Sequence, residues 1–595
     1  MAEAREVVRP SILPDPADAL LEERFTSRVQ HRMRRRGPDR AFGPAGTSAC
    51  RFSFPSQWHL GPMTTRDASG AIQAGPRRVR TLLRVIVGLV VALGLAMVAL
   101  LNAPLPEMPR PGVRGDFLVR QVAVVDVVNA RILPGRDVVV RDGRIAAIGA
   151  SSSAVAHAGL VVVDGAGKFL IPGLWDMHVH SLKISPQYTH PLSIANGVTG
   201  VREMWGCPGI ADPFLACGDD IERWRAGLRD GSHLAPRYIM RSSYAIDGER
   251  GVPSAAPAFF NARDAEDARA LVAYLAADGV DLVKTYTNVS LPAYEALAAV
   301  AARRGLRVAG HLPVRVPLRT VLAAGQHSVE HPRIFLFECY RGMDDFRALP
   351  DPTAGFTLEL RAQLIDEHDP ARCAALMAEM AASGTAWTPT LQVLRMSAMA
   401  GDRTFREDPR RRFIPLMFWA GLWQSDADRA AAHARDASGR DLSAALYRLA
   451  MDNVRQAHEA GVRIVAGTDA GDTYVFPGFA IHDELVELVR AGLSPADALR
   501  SATIDAARFS GQERAFGSIE EGKVADMLLL DADPLTDIRS TQRIAGLFFN
   551  GQYLDRAALD ELLAFAEDQA GDVRTNLQLV WGALRSPVVW AQAAD

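Results

Sequence analysis

The chain has 595 residues, 48% of them hydrophobic and 23% charged, with a formal net charge of -3. That is too long for one ordinary compact domain, the composition is that of a globular protein, and the near-balanced charge speaks against a nucleic-acid partner. Of the 66 basic residues only Lys168, Lys183, Lys284 and Lys523 are lysines, so a buried lysine calls for chemistry that arginine cannot supply.

Residues 1–84 form a basic N-terminal region. Its first part, 1–62, is aperiodic and carries RMRRRGPDR; it reads either as a disordered tail or as sequence upstream of a start at Met63. The run VIVGLVVALGLAMVALL at 85–101 has no charge. As a helix it would span roughly 25 Å, just short of a ~30 Å hydrocarbon core unless its flanks reach outward. Arg77, Arg78, Arg80 and Arg84 precede it, so the positive-inside rule puts the N-terminus in the cytoplasm and the rest outside, which in a bacterium is the periplasm. The run ends in LLNAPLP without a small-x-small cleavage site, so a single uncleaved transmembrane anchor is expected rather than a signal peptide. A proline-rich linker follows at 102–117.

Residues 118–171 read as short strands with turns such as Arg141-Asp142-Gly143, and the same texture returns at 509–552 in GSIEEGKVADMLLLDADPL and RIAGLFFNGQYL. One flanking β-sandwich built from both pieces is expected. Between them, at 172–508, strands alternate with helices. Eight candidate strands run into His178, then GVTGVREM, PRYIMRSS, DLVKTY, RVAGHLP, HSVEHP, TAWTPTLQV and VRIVAGTDAG. The fold class is therefore α/β, a (β/α)8 TIM barrel with its site at the C-terminal ends of the strands. Residues 553–595 read as a helical tail that packs on the barrel, joins a second copy or lies on a membrane. Five cysteines show no CxxC spacing; Cys207 and Cys217 either pair across a short loop or stay free thiols.

In LWDMHVH, Asp176, His178 and His180 alternate and share one face of a strand. The other strand ends add Lys284, His311, His331 and Asp469. Four imidazoles and a carboxylate on one rim suit zinc or a similar divalent ion, although HxH alone is a weak signal. A buried lysine can lose its proton, take up carbon dioxide and become a carbamate able to bridge two cations. Asp176, deeper on the same face, suits a hydrogen bond that fixes a ligand. Tyr286 and His482 are candidate substrate contacts, and His327 reads as structural.

The ordered set GKFLIPGLWDMHVHS, NGVTGVRE, DLVKTY, VAGHLP, HSVEHP, VAGTDAG, ELVELVRAGLSPADALRSAT and GSIEEGKVADMLLLDADP resembles the amidohydrolase superfamily, and more closely its imidazolonepropionase-like and Xaa-Pro or Xaa-Arg dipeptidase-like branch. The resemblance runs from about 118 to 552. It implies His178, His180 and Asp469 as ligands of a more buried metal, His311 and His331 as ligands of a second, and carboxylated Lys284 as the bridge. It also implies two divalent ions, most simply zinc, and hydrolysis of an amide or peptide-like C–N bond by a shared water, with Asp469 as general base and acid. The substrate would be a small molecule or short peptide, and a homo-oligomer is compatible. Alternatives are a mononuclear cyclic amidase or deaminase, an esterase, lactonase or phosphotriesterase in the same fold, and a membrane-tethered binding protein without catalysis. One departure is Glu203 after Arg202, where the family usually has aspartate.

Overall fold

The computed structural model describes residues 76–151 and 159–593; the tail at 1–62, with Cys50, lies outside the described residues. Residues from Arg84 onward form one compact unit. A helix runs over Pro76–Asn102. Its Leu83–Asn102 stretch has a mean hydropathy of 2.6 and no buried share. By length and composition that stretch is long and apolar enough to cross a membrane, since 20 residues at 1.5 Å make ~30 Å.

The strands that follow are β1 (Val113–Arg114), β2 (Phe117–Asp126), β3 (Arg131–Arg141), β4 (Arg144–Ala150), β5 (Val161–Asp164) and β6 (Phe169–Pro172). After them come β7 (Leu174–Val179), β8 (Val198–Glu203), β9 (Arg237–Arg241), β10 (Leu282–Thr285), β11 (Arg307–Gly310), β12 (Ser328–Glu330) and β13 (Ala386–Thr388). Near the C-terminus lie β14 (Met527–Leu530), β15 (Ile544–Phe549) and β16 (Gln552–Asp555). Strands from both ends pair directly, β6 with β14 antiparallel, in one nine-stranded sheet. The expected two-piece sandwich is thus hydrogen-bonded as a single sheet. Its alternation explains how it sits. Met527, Leu529 and Phe548 enter a core of their own with Phe117 and Val119, whereas Leu528, Leu530, Leu547 and Phe549 face the main core.

Strands β7 to β9 form one parallel sheet and β10 to β13 another. Parallel bridges Ser242↔Leu282 and Ile246↔Thr285 connect the two, and bridges Trp387↔Ile464 and Val179↔Ala470 attach residues 464–470 to β13 and to β7. The architecture is an α/β fold of TIM-barrel type. Its helices form where the sequence caps them. Asp264 accepts the N–H groups of Glu266 and Asp267 and Gly279 closes the helix Ala265–Asp278. Ser290 caps Leu291–Arg303, with proline in its first turn.

The eighth expected strand is the exception: residues 464–470 make only bridges. Thr468 gives its N–H and its hydroxyl to the Asp176 side chain, at 3.0 and 2.6 Å, instead of to a ladder. A Cβ on Gly467 would come within 2.8 Å of the His178 nitrogen, so this backbone presses closer to β7 than a regular strand with side chains allows.

Two disulfides are present among the described residues. Cys207–Cys217 closes the loop after β8, and Cys339–Cys373, which no spacing announced, joins the end of helix Arg333–Glu338 to helix Pro370–Ser383. The tail forms helices Arg556–Gly571, Val573–Arg585 and Pro587–Ala593. Leu559 and Leu562 on the first are buried in the main core.

Candidate metal centre

Two strand ends, of β7 and β12, and the irregular eighth segment bring His178, His180, His331 and Asp469 to one place. His178 lies on β7 and His180 one residue beyond it. His331 follows β12 and Asp469 ends the eighth segment, and these two adopt left-handed φ values of 71° and 64°. Thr390, just past β13, does the same at 42°. A β-branched residue there is an outlier and each such residue costs of order 1–3 kcal/mol, so strain is concentrated at this rim. The turn is what brings His331 inward, and its Nδ1 meets the Thr390 hydroxyl at 2.9 Å.

The imidazoles are prepared as ligands. The His178 Nδ1 meets the Glu330 carboxylate at 2.9 Å, which fixes the tautomer with Nε2 as the free lone pair. That Nε2, the His180 Nε2 and the Asp469 Oδ1 are buried without a hydrogen-bond partner. They converge: Asp469 Oδ1 lies 3.4 Å from His178 Nε2 and 3.3 Å from His180 Nε2. Donors about 2.0–2.1 Å from a tetrahedral zinc are about 3.4 Å apart, so this trio fits a divalent cation. Burial holds His178, His180, His311 and His331 well below the usual histidine range, with Lys284 adding to it in every case, so all four rings are neutral, as ligands must be. Burial, with Asp472 nearby, raises the Asp469 carboxyl to about 8; a bound cation would favour its ionised form.

The second group adjoins the first. The rings of His311 and His331 stand edge to face with centroids 4.5 Å apart. The His311 Nδ1 is met at 3.1 Å by both Thr287 Oγ1 and an Arg333 N–H, which leaves Nε2 free of these contacts. Lys284 is buried, its Nζ donates to the Met204 carbonyl, and burial lowers its pKa against the pull of Asp469, Glu330 and Glu203. Glu203 accepts the N–H groups of Trp205 and Gly206 through Oε1, while Oε2 is buried without a partner.

Other expected contacts land differently. Asp176 does not touch a ligand ring; its Oδ1 accepts the backbone N–H groups of His178 and Thr468, so it fixes the strand that carries the ligand. Tyr286 stacks on His311 with centroids 3.9 Å apart. His482 is no substrate contact. Its nitrogens meet Thr541 Oγ1 and the Asn196 carbonyl, each at 3.0 Å, and hold the helix Ala480–Arg490 to segments away from the site. His327 bonds the Phe509 carbonyl and stacks on its ring. Glu330 was not foreseen. Arg202 grips it at 2.7 Å, and both side chains are wholly buried. HSVEHP displays this glutamate, but neighbours on a strand face opposite ways, and only the turn at His331 lets Glu330 and His331 serve one centre.

The profile of the amidohydrolase family matches residues 411–554. Adenine deaminase 3 of Rhizobium meliloti is 29% identical over 207 residues, 33% of this chain and 32% of that one. An uncharacterized protein of Mycobacterium bovis is 27% identical over 407 residues, 66% of this chain and 85% of that one. The chain thus spans about a third of that adenine deaminase. Among solved structures, a proposed prolidase of Bifidobacterium longum is 25% identical with a TM-score of 0.52, covering 76% of this chain and 99% of its own. A bottromycin amidohydrolase superposes with a TM-score of 0.58 at 24% identity, covering 81% of this chain and 94% of its own. An Xaa-Pro dipeptidase with bound methionine does so with a TM-score of 0.52 at 18%, covering 74% of this chain and 100% of its own. Residues 411–554 thus carry the profile of the amidohydrolase family, and over a wider span the chain is similar to proteins of that superfamily.

Proposed function

We propose that this chain is a metal-dependent hydrolase of an amide-like C–N bond, anchored in a membrane by its N-terminal helix. The convergence of His178 Nε2, His180 Nε2 and Asp469 Oδ1 as buried, unpartnered donors carries the reading. In it the pairings of β7 to β13 and residues 464–470 close an eight-stranded barrel. His311, His331 and Lys284, as its carbamate, complete a second metal position. Divalent ions, most simply zinc, would activate a water and polarise the scissile carbonyl.

This chain's residues do the rest. Glu330 holds the His178 ring, and Arg202 holds Glu330 through one N–H and the Met177 carbonyl through another. Asp469 takes the proton of the attacking water and passes it to the departing nitrogen, since a buried carboxylate reaching the centre with two oxygens can act as base and then acid. Lys284 is the observation against a one-metal deaminase. The adenine deaminase likeness favours that second reading, so adenine belongs in the assay beside dipeptides.

Metal analysis of the purified, zinc-supplemented chain tests the proposal. About two ions per chain and one in Lys284→Ala are expected, with turnover in Asp469→Asn down by 10²–10⁴-fold. No retained ion would sink the reading; one ion in both proteins would leave the mononuclear alternative.

A further inference from the structure

A cavity of about 270 Å³ opens beside His180, and we infer that it receives a bulky apolar group carrying a protonated amine, as in an aminoacyl residue with a large side chain and a free α-ammonium. This rests on the proposed hydrolysis for its connection to the reaction, but not for its existence. Its volume decides how much it can take. Pockets for drug-sized ligands run roughly 300–1,000 Å³, so one large residue fits and an extended oligomer does not. The cavity beside His311 and Arg333 holds only about 30 Å³, room for water. The bulk of a substrate therefore belongs on the His180 side.

The walls supply the apolar part. Trp205, whose ring lies 5.0 Å from that of His180, lines the cavity together with Phe418 and Trp423 of the π-helical turn Met417–Trp423. Val589 and Gln592 of the last helix close it. These walls come from distant parts of the chain and are tied down. Cys207–Cys217 closes the Trp205 loop, and the Ser586 hydroxyl donates to Asp212 in that loop at 2.7 Å.

The charge supplies the amine. Asp426 and Asp472 line the cavity and no lysine or arginine does. Asp426 accepts the Thr473 hydroxyl at 2.7 Å and meets the largely exposed Arg429. Asp472 accepts only the Thr473 N–H among the bonds described, at 2.7 Å, and enters no ion pair. Carboxylates among aromatic faces repel an anion, and Asp472, unlike the Arg429-paired Asp426, is left without a counter-charge by a neutral group. A cation satisfies both the carboxylates and the rings.

Titration of the zinc-loaded full chain at pH 7 with 2-phenylethylamine, and with uncharged 2-phenylethanol, tests this by calorimetry. The amine is expected to bind at least tenfold tighter than the alcohol. Asp472→Asn, and separately Asp426→Asn, should remove that preference with thermal midpoints unchanged, and Trp423→Ala should weaken both ligands while also lowering the midpoint, because Trp423 is buried in the main core. Equal binding of amine and alcohol, or an undiminished preference in both asparagine variants, overturns the inference. Turnover of phenylalanylglycine against its N-acetyl form is the separate arm. If wild type binds the amine but cleaves neither peptide nor any other amide, the hydrolase reading fails and the cavity assignment stands.

Discussion

A buried imidazole is a good ligand only when something fixes its proton and its tilt, and for His178 that something is Glu330. The carboxylate touches the ring at 2.9 Å and is itself gripped by Arg202 at 2.7 Å and by the Ser328 hydroxyl at 2.5 Å. Glu330→Gln is therefore expected to lower metal affinity 10–100-fold in a chelator competition. It also leaves the Arg202 charge without its carboxylate, so the thermal midpoint should fall as well, by the equivalent of about 3–5 kcal/mol; unchanged affinity would deny Glu330 its positioning role. His482 gives a pH-dependent counterpart away from the centre. Burial lowers its pKa from 6.5 to about 4, so the unfolded chain takes up a proton there before the folded one does. The neutral ring's contribution is complete above about pH 6.5 and is lost as pH falls to about 4. At a shift of this size the loss is about 3 kcal/mol. In His482→Gln the fall of the thermal midpoint over that window should be shallower, and an identical slope would remove His482 from the acid response.

Between β7 and β13 the elements were largely legible, because each strand is a short apolar run ending in a residue of unusual type, and helices with clear caps separate them. Asp264 and Ser290 announce their helices; Gly279 ends one of them. Legibility failed where backbone geometry and not residue type decides. VRIVAGTDAG has a strand's composition, yet Asp176 draws the Thr468 N–H out of any ladder. Glu330 hid behind strand alternation for the same reason. His482 misled because a histidine on the helix after the last strand looks the same whether it faces the centre or, as here, Asn196 and Thr541. Pairing of Cys339 with Cys373 could not be read at all, since it depends on how the helix after β12 meets an insertion helix 34 residues away in sequence. Closing a loop of that length stabilises chiefly by restricting the unfolded chain, typically by 2–4 kcal/mol. A Cys339→Ser, Cys373→Ser double variant should lose about that much in denaturant unfolding of the oxidised protein; equal stability of the oxidised variant and the oxidised wild type would leave the bond without a structural role.

On the scale of the whole molecule, the outward face of helix Val573–Arg585 is the wrong kind of surface for water. Val573, Trp581 and Leu584 are 69%, 42% and 54% exposed, and Trp590 on the next helix is 60% exposed. Positions 573, 580, 581 and 584 fall on one side of a 3.6-residue helix, where a water-facing helix would carry charge. On the same helix, Gln578 donates to the Leu100 and Ala103 carbonyls at 2.9 and 2.7 Å, at the end of the apolar N-terminal helix. Arg585 lies over the Trp581 ring, 5.5 Å from its centroid, the pairing of aromatic and cation that suits a headgroup region. If the N-terminal helix spans a bilayer, this face rests on the bilayer surface beside it, and two disulfides suit an oxidising compartment on that side. The full chain in anionic vesicles, labelled with a fluorophore at Leu584→Cys in a Cys50→Ser background, should be quenched by nitroxide-bearing lipid. The same label at Arg304→Cys, beyond the N-terminal end of β11, should not be. Flotation with the vesicles but no quenching at position 584 would keep the anchor and remove the surface contact, whereas failure to float would remove the anchor itself.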